Sequence, residues 1–223
     1  TSNPSIFEKA IAQSDDYDQQ LQVLSRQQLT PMEIYEAMAI EDIQAAADTL
    51  RTVYERTDGV DGYVSLEVDP NLAYDTDGTI EEARRLFATV NRRNVFIKVP
   101  ATPEGIPAIE TLIGEGINVN VTLMFSLDQY DAVAEAYLSG LEALDERGGD
   151  LSGVASVASF FVSRIDVKVD GMLADLDAPE AREIQGTIGI ANAKMAYQRF
   201  QETFSGPRWE RLAARGARLQ RVL

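Results

Sequence analysis

The sequence predicts an α/β fold in which parallel strands alternate with helices, and a (β/α)8 barrel fits best. Strand-like and helix-like segments follow one another at steps of a few tens of residues, as in βαβ units. The 223 residues, 45% of them hydrophobic, suit one barrel-sized domain spanning residues 1–223. Phosphate-cradling glycine motifs such as GxGxxG or GxxxxGK[ST] do not occur in the sequence, which disfavours an open dinucleotide-binding sheet.

The first 70 residues predict helices followed by one strand. TSNPSIFEKAIAQ, at the amino terminus, indicates a turn and then a helix. The longest helical pattern runs from Thr30 to Thr57, with apolar residues at helical spacing and Pro31 in the first turn. Gly62 then introduces the strand YVSLEV, which Pro70 ends.

The same strand-then-helix unit repeats along the rest of the chain. The predicted strands are residues 63–68, 94–100, 118–125 and 154–162, and the helical patterns that follow them are 79–91, 104–116, 126–144, 163–173 and 190–204. The final residues, RLQRVL, predict the start of one more strand. This alternation is typical of a parallel sheet.

The net charge of the chain limits the classes of partner that it can bind. Its 36 acidic and 20 basic residues give a net charge of -16, which repels nucleic-acid phosphates and anionic lipids. The sequence shows no basic-then-apolar leader, and its apolar stretches are far shorter than the roughly 20 residues that cross a bilayer. We therefore expect a cytoplasmic protein that binds neither nucleic acid nor membrane.

The absence of histidine and cysteine from the sequence excludes several kinds of chemistry. It rules out Ser-His-Asp and Cys-His catalysis, histidine- or thiolate-bound metals, and disulfides within these residues. We expect no metal and no cofactor. Catalysis would depend on lysine, arginine, carboxylates, hydroxyls and amides.

Lys98 is the candidate nucleophile. The sequence has four lysines and sixteen arginines, and Lys98 is the one lysine that apolar strand residues flank on both sides, in VFIKVP. A lysine that snorkels from a strand end is the structural alternative. A buried lysine instead favours the neutral amine, which attacks carbonyl groups and forms a Schiff base. The iminium then accepts electrons when a neighbouring carbon-carbon bond breaks.

Polar residues recur near the carboxyl ends of four predicted strands, where the loops of a barrel converge. They are Glu67, Lys98, Asn120 with Thr122, and Ser159 with Arg164. Each residue also has a purely structural interpretation. Glu67 could be a solvated charge at the rim, and Arg164 could pair with a surface carboxylate. Their coincidence favours a site in which Glu67 serves acid-base chemistry and Arg164 binds a phosphate.

Several ordered motifs resemble those of a known family. TSNPSIFEKAI, YVSLEVDP, VFIKVPATPEGIPAIETLIGEGINVNVTL and SVASFFVSRID, in this order, resemble the bacterial and cyanobacterial branch of the transaldolases over essentially the whole chain. The resemblance implies a (β/α)8 barrel of the class I aldolase type. It also implies transfer of a dihydroxyacetone unit between sugar phosphates, usually from sedoheptulose 7-phosphate to glyceraldehyde 3-phosphate, in the pentose phosphate pathway.

By matching motif, the resemblance assigns the site residues. The catalytic residues would be Lys98 as the Schiff-base lysine, Glu67 as the acid that handles the catalytic water, and Thr122 as the residue that positions that water. The substrate-binding residues would be Asn3 and Asn120 on the dihydroxyacetone hydroxyls, with Ser159, Phe161 and Arg164 after the sixth strand, Arg164 on phosphate.

The resemblance also predicts how much of a transaldolase barrel these residues cover. Transaldolases have a strand with a catalytic aspartate before TSNP and continue past RLQRVL into the seventh and eighth strands, so we expect these residues to form a partial barrel. We expect the complete protein to be active and the 223-residue polypeptide to have little or no activity. The alternatives are a fructose 6-phosphate aldolase-like enzyme and a non-catalytic barrel remnant. A homodimer and a fused isomerase domain are both compatible with the sequence.

Overall fold

A computed structural model describes residues 4–176 and 178–223. The helices are α1 (Pro4–Gln13), α2 (Asp18–Leu24), α3 (Pro31–Arg56), α4 (Thr76–Val90), α5 (Gly105–Gly114), α6 (Leu127–Glu146), α7 (Ser163–Ala174), α8 (Pro179–Glu183), α9 (Ile188–Thr203) and α10 (Pro207–Ala214). The strands are β1 (Val64–Glu67), β2 (Val95–Pro100), β3 (Val119–Met124), β4 (Ser156–Phe160) and β5 (Arg221–Val222). Short 3-10 turns occupy Ser25–Gln27, Pro70–Leu72 and Leu151–Gly153.

The chain divides into two compact units. The first comprises Thr1–Pro70 and Glu81–Lys98, and the second comprises Asn71–Ile80 and Val99–Leu223. Within each unit the strands are parallel and lie in the order of the chain, β1 beside β2 in the first and β3, β4, β5 in the second. No helix in the described part of the chain has the length and apolarity needed to cross a membrane.

In the first unit, strand pairing separates an apolar face from a polar one. Leu66 lies opposite Ile97, and Glu67 lies opposite Lys98. Because side chains alternate along a strand, Leu66 and Ile97 share one face while Glu67 and Lys98 share the other. Leu66 and Ile97 are buried. Strand β2 is buried along its whole length, as in a parallel sheet covered on both faces.

Two residues fix the approach of α3 to this strand pair. Asn94, just before β2, is buried, and its Nδ2 donates to the carbonyl oxygens of Ala47 at 2.8 Å and Gly62 at 2.9 Å. Gly62 has φ +85°, and a Cβ there would lie 2.5 Å from the Tyr54 nitrogen. Only glycine therefore allows the chain to turn so close to α3 before it enters β1.

In the second unit, α5 and α6 pack through a glycine. A Cβ added at Gly140 would lie 2.6 Å from the Glu110 carbonyl oxygen and 2.8 Å from Ile113 Cβ. The two helices can thus approach more closely than side chains would allow. Helix α6 begins with a capping box in which Ser126 and Gln129 satisfy each other's backbone N–H groups.

Strand β3 contains a bulge at Leu123, which has φ +59°. Its register with β4 passes from Val121 opposite Ala158 to Met124 opposite Phe160, so β3 has one extra residue. Met124 therefore shares the face of Val121, away from Thr122, and is fully buried. A left-handed conformation of this kind costs a non-glycine residue roughly 1 to 3 kcal/mol.

All five predicted strands are confirmed. The bounds of the first four differ by at most two residues from those expected, and the fifth, predicted within the final RLQRVL, is Arg221–Val222. Helix α4 begins at Thr76, three residues before the predicted start. The reason is Asp75, whose Oδ1 accepts a hydrogen bond of 3.0 Å from the Gly78 nitrogen and supports an extra turn. Helices α8 and α10 were not predicted.

A carboxylate-arginine cluster joins α10 to α6. Arg208 donates to both oxygens of Glu142, at 2.9 and 2.8 Å, and to both oxygens of Glu135, at 2.9 and 2.8 Å. These hydrogen bonds lower the pKa of both carboxyl groups. Glu135 has 61% of its side chain exposed, so solvent screens much of this interaction.

We expect Arg208→Leu to lower the free energy of unfolding by about 1 kcal/mol at pH 7. The depressed pKa values mean that this stabilisation is present above the ordinary glutamate pKa of 4.5 and is lost as the pH falls below it. Urea unfolding at pH 7 and pH 3 measures the difference, and a cycle with Glu142→Gln isolates the pair. An equal loss at both pH values would show that Arg208 acts through packing.

Candidate functional site

Lys98 is buried and faces a carboxylate. It is 9% exposed, and its Nζ lies 3.6 Å from Glu67 Oε2. The two residues are direct partners in the register of β1 and β2, so the strand pairing itself places the amine beside the carboxylate. The separation is that of an ion pair longer than an ordinary hydrogen bond. Lys98 is thus buried, and its carboxylate partner is only partly exposed.

Aromatic rings lie next to Lys98 on the same face of the strand pair. Phe96, two residues before Lys98 on β2, lies opposite Ser65. Its ring stacks on Tyr63 at 4.2 Å, and Tyr63 meets Tyr54 edge-on at 5.2 Å. Phe96 is buried. These rings reduce the water around Lys98.

Tyr35 of α3 is electrostatically coupled to Glu67. It is half-buried, and its pKa is raised first by burial and then by the negative charge of Glu67. Its ring meets Phe7 edge-on at 6.0 Å. Both effects favour the protonated phenol. Tyr35 was not predicted as a neighbour of Glu67, because it lies within an ordinary helical pattern.

The turn after Lys98, PATPEG, is fixed by side-chain hydrogen bonds. Thr102 Oγ1 donates to the Ala73 carbonyl at 2.6 Å and accepts from the Gly105 nitrogen at 3.0 Å. A Cβ at Gly105 would lie 2.0 Å from the Pro100 carbonyl oxygen. The start of α5 therefore rests directly on the end of β2, two residues after Lys98.

In the second unit, the structure brings together three of the predicted residues. Ser159 Oγ donates to Asn120 Oδ1 at 2.9 Å. Asn120 lies opposite Val157 in the β3–β4 register, so Asn120, Thr122 and Ser159 share one face. Asn120 and Thr122 are buried. The hydrogen bond to its oxygen fixes which way the Asn120 amide points.

Arg164 and Phe161 form a second group in this unit. The guanidinium carbon of Arg164 lies 5.0 Å from the centre of the Phe161 ring, within cation-π distance. Phe161 in turn stacks on Phe125 at 5.0 Å. No carboxylate of residues 4–176 or 178–223 forms an ion pair with Arg164. Its exposed guanidinium can therefore accept an anion from solution.

The predicted site residues thus form separate groups. Glu67 and Lys98 lie together in the first unit. The second unit contains Asn120, Thr122 and Ser159 on one face and Phe161 with Arg164 after β4. Asn3 lies outside the described residues. The roles assigned to all these residues stay predictions.

Two polar residues beside these groups were not predicted. Gln129 Oε1 accepts from the Phe125 nitrogen at 3.0 Å, while its Nε2 donates to the Ala101 carbonyl at 3.1 Å. Asn192 Nδ2 donates to the Phe125 carbonyl at 2.9 Å. The sequence did carry one signal, since Ser126 and Gln129 have capping-box spacing. It held none for Asn192.

Within each unit, the chain is an α/β protein with polar residues near the carboxyl ends of its parallel strands, the usual position of enzyme sites in such folds. The chain belongs to the transaldolase/fructose-6-phosphate aldolase family, whose model matches residues 1–220. The family predicted from the motifs is therefore confirmed. The helices and parallel strands agree with the predicted barrel class.

Similar proteins share one name. The chain is 51% identical to "Transaldolase" of Frankia alni, 53% to that of Thermobifida fusca and 46% to that of Trichodesmium erythraeum. Each comparison covers 100% of this chain and 60 or 61% of the relative. The chain thus spans about three fifths of the length of these relatives.

Proposed function

We propose that the intact protein is a cytoplasmic transaldolase of the pentose phosphate pathway. It would transfer a dihydroxyacetone unit from sedoheptulose 7-phosphate to glyceraldehyde 3-phosphate through a Schiff base on Lys98. The observation that carries the proposal is the buried Lys98 amine, 3.6 Å from Glu67, in a chain about half identical to proteins named transaldolase.

The first step forms the Schiff base. The neutral Lys98 amine attacks the ketose carbonyl carbon, and its nitrogen loses a proton while the carbonyl oxygen gains one. The resulting hydroxyl leaves as water, which gives an iminium. Glu67 lies close enough to the amine to accept and return these protons, directly or through one water molecule. Thr122 would position that water.

The second step breaks and remakes a carbon-carbon bond. The bond beyond the hydroxyl-bearing carbon next to the iminium cleaves, its electron pair moves to the iminium nitrogen, and the far hydroxyl loses its proton as the aldose phosphate departs. The remaining enamine attacks the aldehyde carbon of the acceptor, whose oxygen takes up a proton. Water then hydrolyses the new iminium and regenerates the Lys98 amine.

The other residues would bind substrate. Asn120, oriented by Ser159, and Asn3 would contact the hydroxyls of the three-carbon unit. Arg164 would bind the phosphate of the sugar, since its guanidinium is exposed and forms no ion pair within the described part of the chain. Phe161 would support Arg164 through the ring contact at 5.0 Å.

Borohydride trapping tests the nucleophile. Reduction of the intact protein in the presence of fructose 6-phosphate should attach the three-carbon or sugar unit irreversibly to Lys98, as peptide mass analysis would show. The other three lysines are natural controls, because they lie on helices. Labelling at Lys9, Lys168 or Lys194 in place of Lys98 would overturn the proposed mechanism.

The family description also names fructose-6-phosphate aldolase, which supports a second candidate in which the three-carbon unit is released rather than transferred. The two activities differ in their need for an acceptor. With sedoheptulose 7-phosphate as donor, a transaldolase turns over only when glyceraldehyde 3-phosphate is added. Release of free dihydroxyacetone without the acceptor would favour the aldolase.

A further inference from the structure

The first turn of α9 contacts the chain that follows β4. The Gly189 nitrogen donates to Asp166 Oδ1 at 2.7 Å. A Cβ at Gly189 would lie 2.6 Å from the Val162 carbonyl oxygen, so glycine is required for this close approach. The residues contacted, Val162 and Asp166, bracket Arg164. Helix α9 is therefore fixed against the segment that carries this cation.

One turn further along α9, Asn192 contacts the chain that follows β3. Gly189 and Asn192 are three residues apart and so lie on the same side of the helix. Asn192 is half-buried, and its Nδ2 donates to the Phe125 carbonyl at 2.9 Å. The first two turns of α9 thus hold the segments after both strands.

The Asn192 bond comes where the ladder between β3 and β4 ends. Their register is already shifted by the bulge at Leu123, and the Phe161 nitrogen donates to the Met124 carbonyl at 2.9 Å. One residue later, the carbonyl of Phe125 takes its hydrogen bond from Asn192. A side chain from α9 therefore continues the restraint that the strand pairing provided.

Phe125 transmits this restraint to Arg164. Its ring stacks on Phe161 at 5.0 Å and 28°. The Arg164 guanidinium lies 5.0 Å from the centre of the same Phe161 ring. Displacement of Phe125 would release one side of this stack and let the exposed arginine adopt other rotamers. Ligand binding would then have to order the arginine side chain, and this loss of conformational entropy would weaken binding.

We propose that Asn192 is a positioning residue for the phosphate of the sugar substrate, acting through Phe125 and Phe161 on Arg164. This inference rests on the proposed function of Lys98 and Arg164. It predicts a selective effect: weakening the Asn192–Phe125 bond lowers affinity for phosphorylated ligands and leaves unphosphorylated ones unaffected.

The test measures half-saturation of Schiff-base trapping at Lys98 in the intact protein. Asn192→Leu keeps the size of the side chain without a donor, and Asn192→Asp keeps the shape and removes the donating nitrogen. Each should raise the half-saturating concentration of fructose 6-phosphate by about tenfold, the effect of one ordinary hydrogen bond. The half-saturating concentration of dihydroxyacetone, which has no phosphate, should stay within about twofold.

Two further variants complete the design. Phe125→Leu breaks the stack without altering Asn192 and should produce the same selective shift, so it tests the proposal even if the Asn192 variants fold poorly. Gln198→Leu, at an exposed position of α9, should change neither ligand. Equal shifts for both ligands, or no shift with fructose 6-phosphate in Phe125→Leu, would overturn the positioning role.

The same experiment separates this proposal from the one on which it rests. If the unsubstituted protein is not trapped at Lys98 by either ligand, the proposed catalytic function fails. If it is trapped by both, and the variants do not discriminate between them, only the role of Asn192 fails. A selective loss with fructose 6-phosphate supports both.

Discussion

Replacing Lys98 with methionine should abolish borohydride trapping and lower kcat by about 10⁴-fold or more, as removal of a covalent nucleophile usually does. The thioether cannot attack a carbonyl, and no other described lysine lies in a strand. The fold should survive, because Lys98 is 9% exposed in a strand buried along its length and methionine fills a similar volume. Circular dichroism and urea unfolding of the variant would check this.

A second substitution separates chemistry from structure at the same position. Lys98→Arg places a permanently protonated guanidinium beside Glu67, which cannot form a Schiff base. If Lys98 serves only as the partner of an ion pair, the arginine variant should retain activity that methionine loses. We expect both variants to be inactive. Lys168→Met, on an exposed face of α7, is the matched control and should keep full activity.

The strands were predictable because buried parallel strands are nearly continuous runs of apolar residues, which are visible in the sequence. VFIKVP is apolar at every position but one, as expected of a strand covered on both faces, and the structure buries all six residues. Helix α10 was missed because its stability is tertiary. It is short, and Trp209 is buried against Phe204 with ring centres 5.0 Å apart, a contact that periodicity does not reveal.

The candidate site was predictable to the extent that it depends on strand ends. Glu67 and Lys98 were placed near the carboxyl ends of their predicted strands, and the register of β1 and β2 puts them opposite each other. Asn192 could not be found in the same way. Its partner is a backbone carbonyl 67 positions earlier. Every residue type has a backbone carbonyl, so the sequence does not mark which one is bound. The positive φ of Leu123 was equally hidden, since leucine seldom marks a bulge.

Gly105→Ala should lower the free energy of unfolding by about 2 to 3 kcal/mol, although alanine is the better helix former. Gly105 begins α5, where helix propensity would favour alanine by up to about 1 kcal/mol. The new Cβ, however, would lie 2.0 Å from the Pro100 carbonyl oxygen and 3.0 Å from Thr102 Oγ1. Because the closer atom belongs to the backbone, the clash cannot be relieved by a rotamer change, and the steric term exceeds the propensity gain.

Gly171→Ala is the matched control for this prediction. Gly171 lies within α7, and a Cβ added there meets nothing within 4 Å, so the substitution should stabilise the protein by about 0.5 to 1 kcal/mol. The two glycine-to-alanine changes are thus expected to have opposite signs. Urea unfolding of the intact protein measures both, and a Gly105→Ala variant as stable as its parent would refute the steric argument.

Gly105→Ala should also impair catalysis, since relief of the clash requires the Pro100 carbonyl or the start of α5 to move. Pro100 ends the strand that carries Lys98 and lies two residues after it. Thr102 fixes the turn between Pro100 and Gly105 through its hydrogen bonds to Ala73 and Gly105. Displacement of about 1 Å near a reacting group can cost about 10²-fold in rate. We therefore expect slower trapping at Lys98 in Gly105→Ala, measured at a temperature where the variant remains folded, and an unchanged rate in Gly171→Ala.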